Sequence, residues 1–169
     1  MNQTSAETLK PKKASESRVE TTYLMMPHHA NPAGNIYGGS ILSMADAVAY
    51  MCAARHSGPG CVTVSVDQVD FRKPILIGEA LTFKASVNYV GRTSMEVGIR
   101  IESENLQTGK RQHTNSCYFT MVCLDENYQP TPAPPLLCET KEEKRRFAEG
   151  RIRREHAKEL SEKRKQLEI

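Results

Sequence analysis

The sequence predicts an α+β domain: an antiparallel sheet folded around one long buried helix, followed by a charged C-terminal helix. Three observations predict it. Residues 40–55 read as a helix that is apolar on nearly every side. Four later stretches alternate apolar and polar residues with period two, and tight turns separate most of them. Helical and strand periods differ, 3.6 against 2, so the two patterns are distinguishable. One helix that needs cover all round and several half-buried strands fit together as a sheet wrapped on that helix.

Residues 1–16 are polar and rich in Lys, Ser, Thr and Glu, which reads as a disordered lead. A first strand is expected between Ser17 and Leu24. Pro27 to Gly39 holds too much Pro and Gly for regular structure. Stepping 100° per residue from Ile41 puts Met44, Ala45, Val48, Met51 and Cys52 on its stripe. Asp46 lies off that stripe, flanked by Leu42, Ala49, Tyr50 and Ala53. That second flank is also mostly apolar or small, so the helix needs a sheet on one side and a partner subunit on another. At least a homodimer is expected.

The strands follow. Val62, Val64 and Val66 alternate with Thr63, Ser65 and Asp67. Leu81, Phe83, Ala85, Val87 and Tyr89 form one face of a long strand. Met95, Val97, Ile99 and Ile101 form the next face, and Asn115, Cys117, Phe119 and Met121 another. Gly91-Arg92-Thr93-Ser94 and Gln107-Thr108-Gly109-Lys110 supply turns. The folded unit spans 17–125. A Pro-rich linker covers 126–138, because four prolines exclude a central strand. Residues 139–169 form a charged helix in which Gly150 is a weak point, worth about 1 kcal/mol against Ala.

Charge and cysteine usage exclude several function classes. The 169 residues carry a net charge of +3. Residues 139–169 hold eleven Lys/Arg and eight Asp/Glu; the rest holds twelve of each, so the folded unit is neutral. Glutamates interleave the basic residues of the last helix and Phe147 is its sole aromatic, which argues against nucleic acid. That helix is expected to be solvated or to dock on a neighbouring subunit through Phe147, Ile152 and Leu160. Five scattered cysteines without a CxxC favour reduced thiols and a cytoplasmic protein. No apolar run approaches a membrane span of roughly 18 residues, so no stable membrane insertion is expected. His28 and His29 are adjacent, with side chains expected to point apart in an extended loop; the other histidines are isolated, so no metal site is expected. Walker-type loops, dinucleotide fingerprints and GxSxG elements are absent from the sequence.

The chemistry concentrates in Asn31 to Asp46. Glycines at a helix start let a ligand approach the backbone, and the first turn leaves N–H groups free. Asp46, a lone carboxylate in an apolar helix, has either a task as acid or base or a structural bond to a neighbouring loop. Asn35 can orient a substrate or a water, or can bond its own backbone in a turn. Gly38 and Gly39 bring donors to the helix end. Arg72 and Lys73, with Gly91, Arg92, Thr93 and Ser94, are phosphate-binding candidates beside their plainer reading as a surface pair and a solvated turn.

Read in series, the motifs resemble a known family. Asn31, Gly34-Asn35-Ile36-Tyr37-Gly38-Gly39 and Met44-Ala45-Asp46 are followed by Asp70-Phe71-Arg72-Lys73-Pro74-Ile75, Gly78-Glu79 and Tyr89-Val90-Gly91-Arg92-Thr93-Ser94. Together they resemble the hotdog-fold acyl-CoA thioesterases, specifically the bacterial acyl-CoA hydrolases related to brain-type acyl-CoA hydrolase, over about residues 17–125. The resemblance implies a five-stranded antiparallel sheet around the central helix. It implies hydrolysis of fatty acyl-CoA to free fatty acid and coenzyme A in fatty acid metabolism, without metal or organic cofactor. Asp46 would be the general base, or in some members a nucleophile. Asn35, Gly38 and Gly39 would position and polarise the thioester carbonyl, and Arg72, Lys73 and Gly91 to Ser94 would bind coenzyme A. A trimer of dimers is implied, with Asn35 and Asp46 of one site drawn from different subunits. The rival reading is a non-catalytic acyl-CoA sensor on the same fold.

Overall fold

The structure is a computed structural model and describes residues 9–58 and 60–167. In chain order the elements are β1 (Lys12–Lys13), α1 (Ala14–Ser17), β2 (Val19–Leu24), α2 (Gly38–Ser57), β3 (Cys61–Phe71), β4 (Ala80–Val90), β5 (Ser94–Glu104), β6 (Arg111–Cys123), β7 (Leu136–Leu137) and α3 (Lys141–Leu167). Five strands make one sheet in the order β2-β4-β5-β6-β3, with every neighbouring pair antiparallel. Helix α2 connects the two edge strands and lies across the inner face. This is the expected hotdog architecture.

The core forms where the alternation predicts it. Leu81, Phe83, Ala85 and Val87 of β4, Met95, Val97, Ile99 and Ile101 of β5, and Cys117, Phe119 and Met121 of β6 are all buried. They face Ile41, Ala45, Val48, Ala49, Cys52 and Ala53 of α2. Each large side chain so buried contributes about 1.5–3 kcal/mol of apolar transfer free energy. Tyr89 departs from the expected face. A register shift between Val87 and Tyr89 pairs Tyr89 with Glu96, on the outer side of the sheet.

Strand β3 departs further. Register shifts between Thr63 and Ser65 and between Val66 and Gln68 leave Val64 and Asp67 as bulged residues on this edge strand. Thr63 pairs with the buried Met121, on the α2 side of the sheet. Val62, Val64 and Val66 do not share one buried face and are all exposed.

The helix α2 is buried on one side only. Met44 is half-buried, and Asp46, Tyr50 and Met51 are exposed. The expected sheet contact is present, and the opposite flank is open in the single chain.

Within the stretch expected to be a disordered lead, Lys12–Lys13 pair in parallel with Leu136–Leu137 and Ala14–Ser17 form a helical turn. Ala14 and Ser17 are buried; residues 1–8 lie outside the described ones. His56 joins this segment to the Pro-rich stretch: its Nε2 donates to the Pro134 carbonyl at 2.9 Å, leaving Nδ1 to accept the Ser17 hydroxyl at 3.2 Å.

Helix α3 opens with a capping box. The Thr140 Oγ1 accepts the Glu143 N–H, and the Glu143 carboxylate accepts the N–H groups of Glu139 and Thr140. Phe147 packs on Tyr89 of its own sheet at 5.1 Å. Ile152 and Leu160 are exposed. Arg153 forks onto Glu96 at 2.8 and 2.7 Å and lies 3.9 Å over the Tyr118 ring. Gly150, read as a weak point, is what permits this docking. A β-carbon there would stand 2.8 Å from the Tyr89 Cβ and 3.0 Å from the Glu96 Oε1.

Candidate active site

The loop before α2 is built from its own polar groups. The Asn31 Oδ1 accepts the backbone N–H groups of Ala33 and Asn35 at 3.0 and 3.2 Å, and the Asn31 N–H donates to the Asn35 carbonyl at 2.8 Å. Gly34 closes this turn at φ +83°, where a side chain would be strained. Asn35 bridges Leu76, and Ile36 donates to the Ile75 carbonyl at 2.9 Å. Glu79 is buried and accepts the Leu76 N–H at 3.2 Å, which braces the segment beneath Asn35. The loop carrying Asn35 is therefore held from both sides.

At the start of α2, the N–H groups of Ser40 and Ile41 both donate to the Tyr37 carbonyl, at 3.0 and 3.3 Å. The N–H groups of Gly38 and Gly39 precede the first intrahelical bonds and point out of the helix end. Aromatic rings lie close against both glycines. A β-carbon on Gly38 would sit 3.2 Å from the Phe71 ring, and one on Gly39 would sit 2.2 Å from the Tyr37 ring. Beside Gly38 opens a cleft of about 250 Å³, lined by Ile36, Ile41, Phe71, Pro74 and Ile75, with Arg72 and Lys73 also on its wall.

Asp46 projects from the open flank of α2. Eight residues separate it from Gly38, about 12 Å along the helix axis at ~1.5 Å per residue. Its Oδ1 accepts the Thr63 hydroxyl at 2.7 Å. The expected partly apolar surroundings of Asp46 do not arise within one chain, where the residue is exposed. Thr63 is a residue that sequence reasoning missed. Alternation assigned it to the face opposite the valines; in the structure Cys61, Val62 and Thr63 pair without a break with Cys123, Val122 and Met121, so Thr63 shares the α2 side with the buried Cys61.

The phosphate candidates separate into two groups. Arg72 and Lys73 follow the last residue of β3, beside the start of α2. The Arg72 guanidinium lies 3.6 Å from the Asp70 carboxylate, and the Arg72 backbone N–H donates to the Thr114 carbonyl. Gly91 to Ser94 form the β4–β5 turn, closed by Gly91 N–H to the Ser94 carbonyl at 2.8 Å. The Thr93 carbonyl accepts from Cys123, which pairs with Cys61 at the other end of β3. The two groups thus stand at opposite ends of an 11-residue strand, about 30 Å apart at ~3.3 Å per residue. One chain cannot bring both to the same phosphate.

Among the described residues no group of three or more His, Cys, Asp and Glu side chains is arranged to hold a metal ion. His28 and His29 do not point apart as expected: a 3-10 turn, Pro27–His29, sets their rings 4.0 Å apart. The His29 Nδ1 accepts the Met26 N–H, so the pair anchors the loop. No helix among the described residues is long and apolar enough to cross a membrane.

Comparisons with known proteins agree with this geometry. A family model described as the thioesterase superfamily matches residues 33–110. The protein VdlD of Helicobacter pylori is 48% identical over 141 residues, covering 83% of this chain and 80% of that one. The uncharacterized acyl-CoA thioester hydrolase YkhA of Bacillus subtilis is 38% identical over 128 residues, covering 76% and 74%. A solved apo-hexameric acyl-CoA thioesterase superposes with a TM-score of 0.87 at 37% identity, covering 90% of this chain and 98% of that one. The family match, the identity to these relatives over most of both chains and the superposition of the whole fold place the chain among the hotdog-fold acyl-CoA thioesterases of the thioesterase superfamily.

Proposed function

We propose that this chain hydrolyses fatty acyl-CoA to free fatty acid and coenzyme A, with Asp46 as general base. The observation that carries this reading is the 2.7 Å bond from the Thr63 hydroxyl to the Asp46 Oδ1. It fixes the carboxylate on the flank of α2 and leaves the Oδ2 to take a proton. In the reaction, Asp46 accepts a proton from water as its oxygen attacks the thioester carbon. The developing oxyanion is stabilised by donors aimed at it, the N–H groups of Gly38 and Gly39 and the Asn35 amide. Collapse of the tetrahedral intermediate breaks the C–S bond, and the leaving thiolate recovers the proton from Asp46. Neither a metal nor an organic cofactor is called on in these steps.

The separation of Asp46 from the start of its own helix supports a site shared between subunits. So does the exposed apolar surface on Met51, Val62, Val64 and Phe71, which a second copy would cover. A hexamer, the state of the solved relative, built here as a trimer of dimers, would also bring Arg72 and Lys73 of one subunit and Gly91 to Ser94 of another toward one coenzyme A. The 17–125 unit carries the chemistry in this reading, and the helix after residue 139 braces the outer face of its sheet. A cytoplasmic location fits a chain whose cysteines are unpaired among the described residues.

The test is release of free thiol from a panel of acyl-CoAs. Asp46→Asn is expected to lower kcat by about a hundred- to ten-thousand-fold, as for loss of a general base. Undiminished activity in that variant would remove Asp46 from the mechanism. Tight acyl-CoA binding with no turnover by the wild type would replace the enzyme with a sensor.

A further inference from the structure

Cys61 and Cys123 stand directly opposite one another, where the edge strand β3 begins and β6 ends. Both are buried on the α2 side of the sheet, 4% and 2% exposed. Opposed residues in an antiparallel pair alternate between hydrogen-bonded and non-hydrogen-bonded positions. The Leu124 N–H donates to the Gly60 carbonyl, whereas the Cys123 N–H turns the other way, to the Thr93 carbonyl at 2.9 Å. Cys61 and Cys123 are therefore a non-hydrogen-bonded pair, the class with the closer α-carbons, about 4.5 Å apart. A disulfide needs that separation to lie between roughly 4.4 and 6.8 Å. The Ser57 hydroxyl, which donates to the Ala53 carbonyl at 3.0 Å, is within hydrogen-bond reach of both thiols. No other two cysteines among the described residues are cross-strand partners; Cys117 pairs with Val69 and Ile99.

We propose that Cys61 and Cys123 form a redox modification site, which hydrogen peroxide closes into a cross-strand disulfide that staples β3 to the sheet. Peroxide converts the Cys61 thiol, on the edge strand, to a sulfenic acid as the O–O bond breaks and one water leaves. The Cys123 sulfur attacks that sulfur and the S–S bond forms. The sulfenic hydroxyl departs with the Cys123 proton as a second water, so two thiols give two electrons to one peroxide. Burial raises both thiols above their ordinary value of 9.0. Neither is a ready thiolate, and in a reducing compartment the pair stays open. The bond would act where the sheet is held least. Strand β3 has a neighbour on one side only, and Thr63, the partner of Asp46, follows Cys61 by two residues. Joining residues so far apart in the chain also restricts the unfolded state, which raises stability.

The experiment treats the full chain with hydrogen peroxide, alkylates the remaining thiols and maps disulfides by mass after trypsin and chymotrypsin. The expected result is a Cys61–Cys123 link and a thermal midpoint about 5–15 °C above that of the reduced protein. Dithiothreitol is expected to reverse both. Cys138→Ser, which removes the least buried cysteine, is expected to keep the link and the rise. Cys61→Ser and Cys123→Ser are expected to lose them; if either variant fails to fold, the wild-type map and midpoint decide. Links through other cysteines only, thiols carried to sulfinic acid without a link, or a link that leaves the midpoint unchanged or lower would each overturn the proposal. Mass and midpoint are read without substrate, so the result is independent of the Asp46 mechanism.

Discussion

The β4–β5 hairpin and the edge strand β3 are written in the same alphabet of alternating residues, yet they use it differently. In the hairpin, Leu81 to Val87 and Met95 to Ile101 alternate and every apolar member is buried. In β3 Val62, Val64 and Val66 alternate just as cleanly, and all three are exposed. A strand with neighbours on both sides has its register fixed twice, so a slip would expose a whole face. An edge strand is fixed on one side only; β3 carries two bulges against the hairpin's one, and bulges re-aim side chains and blunt the free edge. Here Thr63 stands beside Asp46 on the α2 side, and the exposed valines leave apolar surface that a second subunit would cover in the proposed assembly. The hairpin holds the fold, and in the proposed mechanism the edge strand serves chemistry and assembly.

Substitutions sharpen that division. The largest effect on stability is expected inside the hairpin, where Phe83→Ala should cost about 3–5 kcal/mol, read as a fall in denaturant midpoint. Thr63→Val on the edge strand should leave the midpoint nearly unchanged and lower kcat about ten- to a hundredfold, the worth of a hydrogen bond to a charged acceptor. If Thr63→Val instead unfolded the protein with its turnover per folded molecule intact, β3 would be a structural strand like the others. Val64→Lys places a charge on the exposed bulge and is expected to dissociate the oligomer to monomer in sedimentation, with activity lost alongside. An active, fully assembled Val64→Lys enzyme would put the interface elsewhere.

The smallest of these effects concerns His56, at the end of α2. Burial holds its imidazole below the ordinary value of 6.5, partly offset by the bond to the Pro134 carbonyl. The folded protein keeps this group neutral while the unfolded chain takes up a proton. Its contribution is therefore full above pH 6.5 and declines as pH falls below that value. Thermal unfolding between about pH 7.5 and 5.5 should show this slope in the wild type and a flatter one in His56→Gln. Equal slopes would locate the pH dependence in other groups.

Much of the molecule was legible in the chain because its signals are local. A long helix and strands β4 to β6 are periodic over ten or more residues, and the turns between strands are marked by Gly91 and Gly109. The elements β1, α1 and β7 are two to four residues long and exist through long-range contacts, Lys12 with Leu136 and His56 with Ser17. No period can reveal those. Gly150 reads as a helix breaker, because the need for close approach to Tyr89 and Glu96 is visible only in three dimensions. Asp46 and Gly38-Gly39 stood out as chemistry in an apolar setting. Thr63 did not, since a run of valines reads as the buried face and hides that Thr63 shares the helix side with Cys61.

The central claim is that each active site joins the Asn35 loop of one subunit to the Asp46 helix of another. Its most direct test mixes Asn35→Ala and Asp46→Ala chains, unfolds them together, refolds them and measures thiol release. Random pairing makes half of the dimers mixed, and each mixed dimer holds one site with both lesions and one with neither. About a quarter of the wild-type sites should therefore regain activity. No recovery, with subunit exchange verified by mass, would contradict the account and confine Asn35 and Asp46 to a single subunit.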